Sequence, residues 1–181
     1  MINLFIALSF NSIVIEALQR LESDFRHNVD CSALKFEDIS KYHLTLRYLG
    51  SVTDIHMLTK CLREVKQKAF TLQLSDVDIF SCSEPNVLWV GVQGNTTQLN
   101  NLKLQIDKIA EQLEVVEQPA EFRPHITMAY SNKELLPYEA ALTQFRPDQV
   151  CFEVTDFHLL SVTDRYTEAC FRKLETFTLI K

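Results

Sequence analysis

An α+β fold built from two similar lobes is what this sequence predicts, and three observations predict it. Runs with the apolar spacing of helices alternate along the chain with short runs rich in strand formers. No stretch rich in Ser, Gly or Pro separates independent units, so the 181 residues read as one domain, 1–181. The segment YHLTLRY, Tyr42 to Tyr48, also returns as PHITMAY, Pro124 to Tyr130, close to half a chain length later.

Each element has its own reason. Ile2 to Leu8 is a short apolar run and reads as a strand. A helix follows over Ser12 to His27, where Ile13, Ala17, Leu18, Leu21 and Phe25 approximate one face. Asp54 to Ala69 reads as a second helix capped by Asp54, and Asn95 to Val115 as a third carrying Leu99, Leu102, Ile106 and Leu113. A fourth is expected over Lys133 to Leu142. Strands are expected at His43 to Leu49, Phe70 to Leu74, Val87 to Val92, His125 to Tyr130, Cys151 to Val162 and Ala169 to Leu179.

Composition narrows the function classes. With 46% apolar and 23% charged residues the chain is an ordinary globular protein and not a disordered one. Three glycines cannot form a GxGxxG or GxxxxGK phosphate loop, and they disfavour a many-stranded sandwich or barrel. A net charge of −6 repels long polyanions, so duplex DNA is excluded as a partner and any nucleic acid must be met locally. The 5 cysteines are odd in number and scattered without CxxC, which favours a reducing cytoplasm over a disulfide framework or zinc ribbon. The apolar N-terminus has no basic flank before Arg20 and no small-residue cleavage site, so a signal peptide is not expected, and no run is long enough to span a membrane.

The repeated segment carries the chemistry. Side chains alternate faces along a strand, so His43 and Thr45 point one way while Leu44 and Leu46 point toward a core; His125 and Thr127 stand likewise against Ile126 and Met128. If the two lobes face each other, two imidazoles and two hydroxyls converge in one cleft. That set suits phosphodiester cleavage without metal or cofactor. One imidazole holds a proton for the leaving oxygen, the other takes one from water, and the hydroxyls donate to the non-bridging oxygens. The other histidines have no partner at ligand spacing: His27 ends a helix, His56 lies on a helix surface and His158 falls within a strand.

Phe5-Ile6-Ala7-Leu8, Tyr42 to Gly50, Val87 to Val92 and Phe122 to Thr127 together resemble the 2H phosphoesterase superfamily, and within it the RNA 2′,3′-cyclic phosphodiesterase or 2′-5′ RNA ligase branch. The resemblance runs in order from about residue 3 to about residue 166. It implies a bilobal pseudo-twofold fold, two antiparallel sheets backed by helices around a central cleft, and hydrolysis of a 2′,3′-cyclic phosphate at an RNA end to a 2′-phosphomonoester, with reversible 2′-5′ RNA ligation in some members. It also implies that His43 is the proton donor, that His125 is the base activating water, and that Thr45 and Thr127 grip the phosphate. The chain departs from the family pattern at Tyr130, where the second motif usually runs into Arg or Lys, and at Ser51, where an acid often follows the glycine.

Supporting residues follow from parity. Arg47 lies two positions beyond Thr45 and is expected on the face of His43 as a cation against phosphate; Arg123 shares parity with His125. Arg165 and Tyr166 fall in a loop where the family places a substrate-contacting segment. Tyr42, Phe122, Tyr130 and Trp89 could stack on a base, although the unbroken run Val87 to Val92 reads Trp89 as core. The expected partners are RNA termini or small nucleotides, met by a monomer. Competing readings are a two-histidine hydrolase of a 2′-5′ oligoadenylate, cyclic oligonucleotide or ADP-ribose cyclic phosphate, and a non-catalytic RNA-end-binding module.

Overall fold

Strand β1, Asn3–Leu8, sorts its side chains onto two faces. Leu4, Ile6 and Leu8 belong to the main core, whereas Phe5 and Ala7 join a second, smaller cluster with Val162, Tyr48, Leu160 and Phe171. The first face carries the helices: Leu18 and Phe25 of α1 (Ser12–Asn28), Leu58 and Leu62 of α2 (Ile55–Leu62), and Leu102 and Ile106 of α3 (Thr96–Gln112) all pack into that core. The opposite face is where function has room. The computed structural model describes residues 3–81, 85–115, 121–133, 142, 144–162 and 171–181.

The remaining strands are β2 (Lys35–Phe36), β3 (Leu44–Gly50), β4 (Phe70–Phe80), β5 (Asn86–Gly94), β6 (His125–Ser131), β7 (Cys151–Val154), β8 (Asp156–Val162) and β9 (Phe171–Thr178). They form one antiparallel sheet in the order β7-β4-β5-β6-β3-β1-β8-β9, with β2 paired to β6. Two four-stranded halves meet at its centre, where β3 and β6 share a single paired position, Leu44 opposite Ile126. In one half β1, α1 and β3 follow one another; in the other β5, α3 and β6 do. Two sheets backed by helices is therefore the right description of each half, and the hydrogen bonding joins them into one path.

The two central strands are also distorted alike. Ala7 and Ile6 face Thr45 and Arg47, so β3 holds one extra residue; Trp89 and Leu88 face Thr127 and Ala129, so β6 holds one at the same point. A bulge of this kind reverses the inside-outside alternation beyond it.

Several boundaries differ from the sequence reading for tertiary reasons. The second helix stops at Leu62 instead of Ala69, because Gln67 and Ala69 hydrogen-bond Ile180 and draw the chain into an extended path. Strand β4 runs on to Phe80, since a register shift between Leu74 and Val77 hides its alternation. The run Cys151 to Val162 is two strands broken at Thr155: β7 pairs with β4 at one edge and β8 with β1 in the other half, so this short segment crosses between halves. Gly94 turns β5 into α3 with φ +97, and a Cβ there would meet the Thr71 carbonyl at 3.2 Å. Most of the fourth expected helix lies outside the described residues.

Candidate active site

His43 immediately precedes β3 and His125 opens β6, each one residue from the buried pair Leu44 and Ile126 that joins the halves. Both imidazoles therefore leave the sheet on the face away from the helices, at the seam. Extending the antiparallel register by one residue sets His43 toward Thr127 and Thr45 toward His125, so the two repeats interlock. All four side chains are half-buried, as the alternation predicts.

Each ring is clamped in the same way. Nδ1 of His43 donates to the Lys41 carbonyl at 2.6 Å, and Nδ1 of His125 donates to the Arg123 carbonyl at 2.6 Å. A carbonyl can only accept, so the proton is on Nδ1 and Nε2 is the nitrogen left to exchange protons with a ligand. Aromatic walls fix the ring planes. Phe5 and Phe171 lie 5.2 and 5.1 Å from the His43 ring, and Phe80 and Trp89 lie 4.9 and 5.9 Å from that of His125.

Burial lowers the pKa of both imidazoles below the ordinary 6.5. For His43 the Lys41 hydrogen bond and the Glu37 carboxylate work against that burial, while the charge of His125 adds to it, which places the two rings within electrostatic reach of each other. For His125 the Arg123 hydrogen bond alone opposes burial.

The twin bulges bring a third residue of each repeat to this face. Tyr48 pairs with Phe5 and Tyr130 with Val87, so both tyrosines stand on the side of the threonines, although strict alternation would put them on the helix side. The Tyr130 phenol hydrogen-bonds the Thr127 hydroxyl; burial and, secondarily, the Glu37 charge raise its pKa. The repeat in space is thus His-x-Thr-x-x-Tyr. Gly91, opposite His125, has no room for a side chain, because a Cβ would meet Ser75 Oγ at 2.6 Å and the Trp89 ring at 3.3 Å.

The same bulge overturns the expectation for Arg47. It lies beyond the extra residue, opposite Ile6 on the helix face, 4% exposed, and its guanidinium pairs with Asp107 of α3 at 3.3 Å, with Lys103 on the same carboxylate. Arg47 does not share the face of His43. The expectation for Trp89 changes in the opposite direction: it is half-buried beside His125 and stacks on Phe80 at 4.8 Å, because β5 alternates and Leu88, Val90 and Val92 face the core. Tyr42 is core, 4% exposed, its hydroxyl donating to Glu22. Phe122 packs against the core beneath Lys103. Arg123 lends its carbonyl to the site, while its exposed side chain pairs with Glu121 at 2.9 Å. Arg165 and Tyr166 lie outside the described residues.

Phe5, Phe171, Phe80 and Tyr48 are site residues that the sequence reading did not single out. Phe80 stands beyond a bulge and Phe171 comes from β9, three strands along the sheet from β3, so neither shows any local signal; the doubled Tyr at the same offset from each His was the one clue for Tyr48.

A sequence model of the 2′-5′ RNA ligase superfamily matches residues 13–165 of this chain. The RNA 2′,3′-cyclic phosphodiesterase of Aeropyrum pernix is 25% identical over 119 residues, a match covering 64% of this chain and 66% of that relative, just under two thirds of its length. Among solved structures, apo LigT of E. coli has a TM-score of 0.82 at 22% identity, with 99% of this chain and 98% of that one covered. TT0787 of Thermus thermophilus has a TM-score of 0.72 at 18% identity, with 97% of each covered. Both structures share the fold.

Proposed function

Since this chain belongs to the 2′-5′ RNA ligase superfamily, we propose that it hydrolyses a 2′,3′-cyclic phosphate, at an RNA end or on a small nucleotide, to a 2′-phosphomonoester without metal or cofactor. The observation that carries this reading is the pair of identically clamped imidazoles, both presenting Nε2 at the seam. Nε2 of His125 takes a proton from water as its oxygen bonds to phosphorus. The bond from phosphorus to the 3′-oxygen breaks, and protonated Nε2 of His43 delivers its proton to that oxygen. Thr45 and Thr127 donate to the non-bridging oxygens, where charge resides throughout, and Tyr130 stands beside Thr127 on the same face. Arg123 serves through its carbonyl, which holds the His125 ring, while its own charge is paired with Glu121. With an RNA 5′-hydroxyl in place of water as the nucleophile, the same groups join two ends: the 5′-oxygen bonds to phosphorus as the bond to the 3′-oxygen breaks, which leaves a 2′-5′ diester, and the reverse of that step cleaves it.

The role of His43 as donor comes from the family resemblance; burial lowers its pKa, and the Lys41 hydrogen bond and the Glu37 carboxylate oppose that shift. The chain acts as a monomer in the cytoplasm, a reading supported by its scattered cysteines; no described helix is long and apolar enough to cross a membrane. The test is incubation of an RNA ending in a 2′,3′-cyclic phosphate with the protein in EDTA, followed by identification of the phosphate position. A 2′-phosphate is expected. A 3′-phosphate, or turnover that requires added Mg²⁺, Mn²⁺ or Zn²⁺, overturns the mechanism.

A further inference from the structure

A second polar cluster lies on the same face of the sheet, in the half that carries His43. Pairing across four strands puts Thr45, Ala7, His158 and Thr176 in one row on that face. His158 is two strand spacings from Thr45, about 10 Å. Between them Ala7 contributes only a methyl group. Ser9, two residues on from Ala7, lies at the end of β1 next to the His43 side of the seam.

His158 is 3% exposed, and its ring organises the cluster. Nε2 lies 2.6 Å from Ser9 Oγ, 3.3 Å from Lys173 Nζ and 3.0 Å from Asp156 Oδ1; Nδ1 lies 3.0 Å from Thr176 Oγ1. These groups line a cavity of about 550 Å³ walled on its apolar side by Phe10 and Phe152, which meet edge to face at 5.4 Å. Ser9, Lys173 and Thr176 are exposed around the buried ring.

Lys173 decides what the cavity holds. Among the described residues its ammonium has the imidazole as partner and no carboxylate within ion-pair range. Asp156 also lines the cavity, with Oδ1 3.0 Å from His158 Nε2 and Oδ2 accepting from the Thr155 hydroxyl. Glu153 also lines the cavity, so an incoming anion is accepted on the Ser9, Lys173 and Thr176 side. A nucleoside 2′,3′-cyclic phosphate has one phosphate, which the seam takes. A second cation with two hydroxyls beside it has work only when the ligand carries a second phosphate.

We propose that the Ser9, His158, Lys173 and Thr176 cluster binds the 5′-phosphate of the nucleotide whose cyclic phosphate lies between His43 and His125. The substrate class is then an RNA end, or a 5′-phosphorylated nucleotide, in preference to a cyclic mononucleotide. This rests on the reading of the seam as the reaction site. It also agrees with that chemistry: the leaving oxygen stays on the ribose, so the ribose and its 5′ side lie toward the imidazole that protonates it, in the half of the sheet that holds this cluster.

The test compares adenosine 2′,3′-cyclic phosphate with the same compound bearing a 5′-phosphate. Wild type is expected to favour the 5′-phosphorylated form by about tenfold in kcat/KM, an energy difference of about 1.4 kcal/mol. Lys173→Ala should bring the ratio near one, and Lys173→Arg should restore most of it. Equal kcat/KM for the two compounds in wild type, or a preference that survives in Lys173→Ala, overturns the subsite. Binding of adenosine 2′,5′-bisphosphate against adenosine 2′-phosphate by calorimetry needs no turnover. A tighter bisphosphate in wild type, lost in Lys173→Ala, in a protein that hydrolyses neither cyclic compound, upholds the subsite and rejects the reading of the seam. Turnover without any difference between the two ligands rejects the subsite alone.

Discussion

The two halves of the sheet use one backbone plan and fill it differently. In both, a histidine is clamped through Nδ1 to the carbonyl two residues before it, a threonine follows on the same face, and a bulge returns a tyrosine to that face. The residue facing the threonine is where they part: Ala7 in one half, Trp89 in the other. Trp89, stacked on Phe80, closes the surface beside His125, while its counterpart Ala7 is a small, fully buried residue between Thr45 and His158. A pair of repeats that is symmetric in its proton-transfer groups thus becomes asymmetric in its walls. In the proposed reaction, that asymmetry gives the nucleotide a direction and the two imidazoles different tasks.

The largest expected effect tests the symmetric part. His43→Ala or His125→Ala should each lower turnover of a 2′,3′-cyclic phosphate by at least ~10²-fold with the fold intact, because each removes one of the two proton transfers. The pH profile of kcat/KM should be a bell, and since burial lowers both imidazoles, its centre should lie on the acid side of 6.5. Either variant retaining wild-type activity would reject the pair, and a monotonic profile from pH 5 to 9 would show that a single group titrates. The apparent constants belong to the pair, because the charge of one ring acts on the other.

A second, smaller effect separates the halves at one equivalent position. The residue after the bulge is Arg47 in one strand and Ala129 in the other, and both face the helices. Arg47→Ala removes a cation that is 4% exposed from a carboxylate that is 16% exposed, but Lys103 stays on that carboxylate. The expected cost is about 2 kcal/mol of stability, below the full penalty for orphaning a buried charge. Urea unfolding measures it, and KM for the cyclic phosphate should stay put. A raised KM with unchanged stability would return Arg47 to the phosphate, where simple alternation had placed it.

Arg47 and Trp89 also mark the limit of what the sequence discloses. Period-two alternation located His43, Thr45, His125 and Thr127 because the histidines and threonines precede the bulges and flank residues that are fully buried. One inserted residue inverts everything after it, and no side chain at Leu46 or Met128 announces the insertion. Arg47 is therefore misplaced by counting, and Tyr130 lands on the face that counting denies it. Helices α1 and α3 were legible from their apolar stripes, since each lies on one core. Thr155 was not, because a strand that changes partners keeps the same apolar composition on both sides of the break.

The smallest effect concerns the pH dependence of stability, to which both halves contribute. Burial lowers the pKa of His43, His125 and His158, with Lys173 adding to the shift of His158 and Asp156 opposing it. A depressed imidazole means that the unfolded chain binds more protons than the folded one at pH values between the folded pKa and 6.5. Stability is then fully present above 6.5 and declines as the pH falls through that window. Denaturant midpoints should drop on acidification from pH 7, and the drop should be shallower in His158→Gln than in wild type. His43 and His158 both have neighbours of both signs, so the comparison of the two variants separates their shares. If His158→Gln flattened the slope more than His43→Gln did, the cluster around Lys173 would be repelling the protonated ring more strongly than its distances imply, and the cavity would have to be read as strongly cationic, the charge a second phosphate requires.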